Sequence, residues 1–314
     1  MESAPGTAFQ RNKGFDMLVV GGGIAGLTAA WQGARRGIAV ALIEKSNLFG
    51  GQVATLGEIH DFPSPTPVSG PGLAAMLVNG SRRAGASISE DEVVSLEAAE
   101  PSIRIETTRW SLRARNVVIA AGAALRELDV PGAVDKAGRG ISQCVTCDGP
   151  FYRGREVVVI GGGDSALQGA LELARISGRV HLITRGVLRA RQAYIDAAAK
   201  CANLIFHWDS VVQDVSGDDG VDGVRILNIK TGTESLLPCY GIFPFLGTTP
   251  NAGWLPASVE RTSAGLIRVD SALRTSAVGI YAIGAVRAGF SGSLVSAAGD
   301  AAAVAEAIAE RCRK

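Results

Sequence analysis

The chain has 314 residues, 47% apolar and 19% charged, with a formal net charge of +1. That length exceeds what one hydrophobic core ordinarily serves, so two domains are expected. With no basic stripe and no acidic tail, nucleic-acid and membrane partners have no electrostatic basis.

In chain order, residues 1–14 are polar and lack the apolar core of a signal peptide, so they read as a loose tail. No later apolar stretch reaches 18 residues without glycine or charge, which argues against a transmembrane helix. Five cysteines, an odd number, in a chain without an export signal argue against a disulfide scaffold, and the expected location is cytoplasmic.

The run from Phe15 to Glu44 is a short β-branched strand, a glycine turn, an Ala-rich helical stretch and a second apolar strand. It carries Gly21-x-Gly23-x-x-Gly26, with Ile24 and Ala25 between the last two glycines. In such a βαβ unit the first glycine allows the tight turn and the second admits a diphosphate. The third lets helix pack on strand, and the diphosphate rests on free N–H groups at the helix start. Glu44, followed by Lys45, closes the second strand, where a carboxylate can hold both hydroxyls of an adenosine ribose.

Cys144-Val-Thr-Cys147-Asp148-Gly comes next. A tetrahedral zinc site needs two more ligands at suitable spacing. Cys201, Cys239 and Cys312 are scattered singly, and His60, His181 and His207 show no ligand spacing. The pair therefore reads as a redox dithiol at a turn or helix start, where the dipole favours a thiolate. Asp148 is either an acid for the leaving thiolate or an N-cap for the segment after it.

A second βαβ pattern runs from Arg155 to Arg185, with Gly161-x-Gly163-Asp164-Ser165-Ala166 at its turn. Its second strand closes on Thr184-Arg185, with Arg189 and Arg191 behind. Arginine attracts the 2′-phosphate that an acid would repel, so this site leans toward NADP.

Two fingerprints with the CVTCDG run between them resemble the low-molecular-weight thioredoxin reductases, FAD-dependent pyridine nucleotide-disulfide oxidoreductases. Also similar are Gly50-Gly51-Gln52, Asp61-Phe62-Pro63, Ala120-Ala121-Gly122, the LGTTPN run at 246–251, and IYAIGAVR followed by SAAGDAAAVA. The resemblance implies an α/β fold of two Rossmann-like domains. An FAD-binding domain (15–122 and 243–314) is split by a nicotinamide-type domain (123–242) that carries the cysteine pair. It implies FAD contacts at Gly21, Gly23, Ile24, Ala25, Gly26, Glu44, Lys45, Gly51, Gln52, Asp61, Ala121, Gly122, Gly284 and Ala285. NADPH contacts are implied at Gly161, Gly163 to Ala166, Arg185 and Arg189. Cys147 would face the flavin, Cys144 would attack the partner disulfide, and Asp148 would serve as acid/base. The implied partner is thioredoxin or another dithiol or disulfide, and the implied assembly is a homodimer.

The chain departs from the family pattern at four places. Thr184-Arg185-Gly186 replaces His-Arg-Arg, and Gln168-Gly169 replaces Glu-Glu. Ser291-Gly292-Ser293 replaces Tyr-Arg-Gln, and Gly284-Ala285 replaces the Gly-Asp whose acid holds the ribityl chain. Asp61 stands where the family usually has asparagine. Weakened or repositioned FAD is expected, not its loss. Two other functions stay open: a dithiol/disulfide flavoenzyme that does not use NADPH (ferredoxin-linked, or a dithiol oxidase), and a non-catalytic redox sensor. The intact Cys144, Cys147 and Asp148 count against the sensor.

Overall fold

The computed structural model describes residues 14–57, 59, 62–63, 68–99 and 101–313. The chain divides into two compact units: one holds everything to Ala124 and from Thr249 onward, the other Leu125–Thr248.

The first unit opens with β1 (Phe15–Val20), α1 (Ile24–Arg35) and β2 (Val40–Glu44). Then come α2 (Gly70–Arg83), β3 (Ser87–Glu90), β4 (Val93–Ala99), β5 (Ser102–Thr107) and β6 (Ser111–Ile119). Strand β7 (Ala123–Leu125) leads out of it. After the insertion, β16 (Ile280–Ala282) and α6 (Leu294–Arg313) complete it. Its sheet runs β3-β2-β1-β6-β5-β4, with β16 parallel to the carboxyl half of β6. Burial on both faces explains the continuous apolar run Met17–Val20 in β1. Met17 and Val19 pack with the helices α1, α2 and α6, whereas Leu18 and Val20 pack with Ile43, Leu255 and Ile267 on the other face.

The second unit repeats the plan on a smaller scale. It contains α3 (Val145–Asp148), β8 (Glu156–Ile160), α4 (Asp164–Ala174), β9 (Arg179–Ile183), α5 (Gln192–Ala199) and β10 (Leu204–His207). Strands β11 (Ser210–Ser216), β12 (Gly223–Asn228) and β13 (Glu234–Pro238) form an antiparallel sheet. Strand β14 (Gly241–Pro244) follows, and β15 (Thr248–Pro250) carries the chain back. The parallel sheet runs β10-β9-β8-β14. Val157 and Val159 face α4, while Val158 and Ile160 face the antiparallel sheet.

This division differs from the expected boundary at residue 243. Strand β14 is the parallel partner of β8, pairing Gly241 with Val157 and Pro244 with Ile160, so residues 243–248 belong with the insertion. The two strands that cross the boundary, β7 and β15, pair with each other, and Arg126 N–H donates to Gly247 O at 2.9 Å.

Candidate active site

In the first unit the glycine turn is built by exclusion. Gly21 has φ +108°, and a Cβ there would stand 2.4 Å from Ala120 O. A Cβ on Gly26 would stand 1.9 Å from Gly21 O, so only glycine lets α1 sit this close to the turn. At Gly23, the extended N-cap of α1, nothing lies within 4 Å of a Cβ position and no side chain caps the helix. Open space beside uncapped N–H donors is the seat that a diphosphate fits.

The other predicted FAD residues gather around this turn. Glu44 accepts Gly22 N–H and, at 2.9 Å, Ser46 N–H. Gly50 N–H donates to Gly22 O at 2.8 Å, and a Cβ on Gly51 would stand 3.3 Å from Gly23 Cα. Gln52 Nε2 donates to Ala123 O. Ala121 O and Gly122 O accept from Asn251 Nδ2 (2.9 Å) and Asn251 N–H (3.0 Å). Ile24 and Ala25 are buried in the first turn of α1, and Lys45 is exposed. Asp61 lies outside the described residues, as does His60.

The turn at Gly284–Val286 approaches α1, because a Cβ on Gly284 would stand 3.0 Å from Ala25 Cβ. Ala285 offers no carboxylate. The acid that serves this turn is Asp300, on the buried face of α6, which sequence reasoning missed. It accepts Gly284 N–H at 3.0 Å and two bonds from Arg287 at 2.7 Å each. The available signal was a lone acid in an Ala-rich helical run. The cradle, the ribose-side carboxylate and the Gly-Gly-Gln loop fit FAD, with Asp300 orienting the turn.

The second cradle follows the same rules. Gly161 has φ +142° with Phe245 O 2.5 Å from a Cβ position, Gly163 faces open space, and Ala166 is buried at the third position. No side chain caps α4. The loop after β9 folds over this turn: Arg189 N–H donates to Gly162 O at 2.7 Å, and Arg191 N–H to Asp164 Oδ1 at 2.6 Å. Arg191 Nε also meets Asp164 Oδ2 at 3.0 Å, so Arg191, read from sequence beside the phosphate-side arginines, is paired with an acid. Arg185, Arg189 and Ser165 are exposed, and the Thr184 hydroxyl donates to Gly186 O at 3.1 Å. The open turn and the two exposed arginines fit a dinucleotide that carries a 2′-phosphate.

Cys144 and Cys147 are joined as a disulfide, with Cα atoms 5.3 Å apart. Cys144 is the N-cap of α3, its Sγ accepting Cys147 N–H at 3.2 Å, and Ser142 Oγ accepts Cys144 N–H at 3.0 Å. The side-chain cap considered for Asp148 does not form. Asp148 ends α3 and precedes the 3-10 turn Gly149–Tyr152, but its side chain caps nothing. Its carboxylate stays available, half-buried one residue past Cys147. Burial first, and the negative charge of Asp148 second, raise the Tyr152 phenol above its ordinary pKa. Thr146 Oγ1 donates to Glu172 Oε1 at 3.3 Å, tying the dithiol helix to α4.

Two of the other cysteines, Cys239 and Cys312, are held as thiols. Burial, then Asp222 and Glu156, pushes the Cys239 thiol up to about 12. Burial likewise raises Cys312. His181 and His207, on adjacent strands, meet at 2.9 Å, and Glu156 is 3.3 Å from His181. Among the described residues, no group of three or more His, Cys, Asp or Glu side chains could hold a metal ion, and no helix is long and apolar enough to cross a membrane.

Residues 15–307 match the family described as pyridine nucleotide-disulphide oxidoreductase. The thioredoxin reductase of Treponema pallidum is 36% identical over 297 residues, covering 94% of this chain and 96% of that protein. The solved thioredoxin reductase of Lactococcus lactis is 33% identical, with TM-score 0.88 and coverage of 94% and 98%. That of T. acidophilum is 31% identical, with TM-score 0.87 and coverage of 96% and 100%. Thioredoxin reductases of this family use FAD and NADPH. The chain belongs to the pyridine nucleotide-disulphide oxidoreductase family and is a thioredoxin-reductase-like, FAD-dependent oxidoreductase.

Proposed function

We propose that this enzyme works as a homodimer that moves electrons from NADPH through FAD to the Cys144–Cys147 disulfide, and from the dithiol to a protein disulfide of the thioredoxin type. The observation that carries this reading is a disulfide at the start of a helical turn, in the same unit as a glycine cradle flanked by the exposed Arg185 and Arg189. FAD supplies the two-electron relay between a hydride donor and a disulfide. The residues of the chain do the rest.

Reduction of the Cys144–Cys147 bond takes two electrons and one proton, leaving one thiolate and one thiol. The Cys144 thiolate attacks one sulfur of the partner disulfide, and the departing thiolate takes a proton, with Asp148 as the nearby acid. The Asp148 carboxylate then takes the Cys147 proton as the Cys147 sulfur attacks Cys144 Sγ, re-forming the internal disulfide. The second partner sulfur leaves as a thiolate and takes a proton from water, so the partner departs as a dithiol. The N–H groups of α3 stabilise Cys144 as a thiolate. Phe151 is 77% exposed, four residues beyond Cys147, and offers an apolar contact for the approaching partner.

Anaerobic mixing of the purified flavoprotein with NADPH tests the donor. Prompt bleaching of the flavin band supports the reading. The pairing of Arg191 with Asp164 favours the second reading, a donor other than NADPH. Flavin that ignores NADPH and NADH but bleaches with dithionite and dithiols would establish that alternative. Cys147→Ser should leave the flavin reducible while abolishing disulfide turnover.

A further inference from the structure

Phe245 stands immediately after β14, at the carboxyl edge of the parallel sheet. Its N–H donates to Ile160 O at 2.7 Å, and its carbonyl oxygen presses on Gly161 of the second cradle. The ring extends along α4 to Gly169. A Cβ added there would stand 2.8 Å from Phe245 Cε2, 3.0 Å from Cζ and 3.3 Å from Cγ2 of Val145. Gly169 is buried and Phe245 half-buried. The ring thus fills the space left by a missing side chain on α4, beside the first residue of the dithiol helix.

A dinucleotide on such a cradle sets its diphosphate at the α4 N-terminus and its adenosine ribose by the end of β9, where Arg185 stands. Its other half then lies over the β8–β14 edge, which is where Phe245 sits. We infer that Phe245, held in place by Gly169, is a specificity-determining residue that walls the nicotinamide half of the second nucleotide site. The inference rests on the reading of that cradle as the NADPH site.

Calorimetric titration of the FAD-loaded protein with two ligands tests it: NADP⁺, and 2′,5′-ADP, which lacks the nicotinamide half. Phe245→Ala should weaken NADP⁺ by about five- to tenfold, the scale of one aromatic contact, and leave 2′,5′-ADP unchanged. Phe245→Leu keeps apolar volume without the ring and should show the same split, which guards against a variant that fails to fold. Gly169→Ala approaches the ring from the opposite side and should also weaken NADP⁺ alone. Equal losses for both ligands, or none for either, overturn the inference while leaving the NADPH site intact. Wild-type protein that binds neither ligand overturns the NADPH reading, and the inference with it.

Discussion

Both units pin the loop over their glycine cradle with an aspartate–arginine pair, and the two pairs differ in kind. Asp300 and Arg287 are bidentate, with side chains only 10% and 13% exposed, and the same carboxylate also holds Gly284 N–H. Asp164 and Arg191 make a comparable contact, but their side chains are 38% and 67% exposed. Removing one member of a buried pair strands a charge away from water, whereas an exposed pair competes with water and gains little. The pair at the first cradle is therefore the stronger fixture, and the pair over the second cradle the weaker one. A strong fixture suits a group that stays, and a weak one suits a group exchanged at each turnover.

The sharpest way to break this contrast is Asp300→Ala. It should cost about 3–5 kcal/mol of stability by leaving Arg287 unpaired, read as a lowered denaturant midpoint with unchanged slope. Next is the ligand end of the first cradle. Glu44→Gln removes a charged acceptor and should raise the FAD dissociation constant of reconstituted apoprotein by about 10- to 100-fold, with NADP⁺ binding unaltered. Equal effects on both ligands would mean that the two cradles are not independent.

Arg185→Ala acts on the second cradle alone. It should raise the KM for NADPH by about tenfold, leave NADH unchanged, and lose its effect as salt rises. The smallest effect is expected for Asp164→Asn, which should change stability by less than about 1 kcal/mol. A loss as large as that for Asp300→Ala would abolish the distinction between the two pairs.

What could be read from sequence was local. The two cradles declare themselves because each βαβ pattern and its glycines fall within some thirty residues, and the turn geometry requires glycine where Gly21 and Gly26 stand. The cysteine pair was legible for the same reason. What escaped reading is close in sequence but carries no motif of its own. Asp300 meets Arg287 and Gly284, 13 and 16 residues earlier, because the buried face of α6 turns back on the loop before it, and His181 finds His207 across neighbouring strands. The boundary at β14 was placed too early because a four-residue strand buried along its whole length looks alike in either unit. Only its pairing with β8 assigns it. Asp148 shows the converse: its position suggested a cap and it does stand at the N-cap of the turn Gly149–Tyr152, but its side chain makes no capping bond there.

The hydrogen bond between Arg126 N–H and Gly247 O has a consequence for how such a chain could have arisen. The inserted unit begins and ends one hydrogen bond apart, so its host needs only a gap of that width to receive it. The dithiol and its nucleotide cradle form a cassette that a shuffling event could splice into an existing flavoprotein whole, without stretching the sheet on either side of the cut.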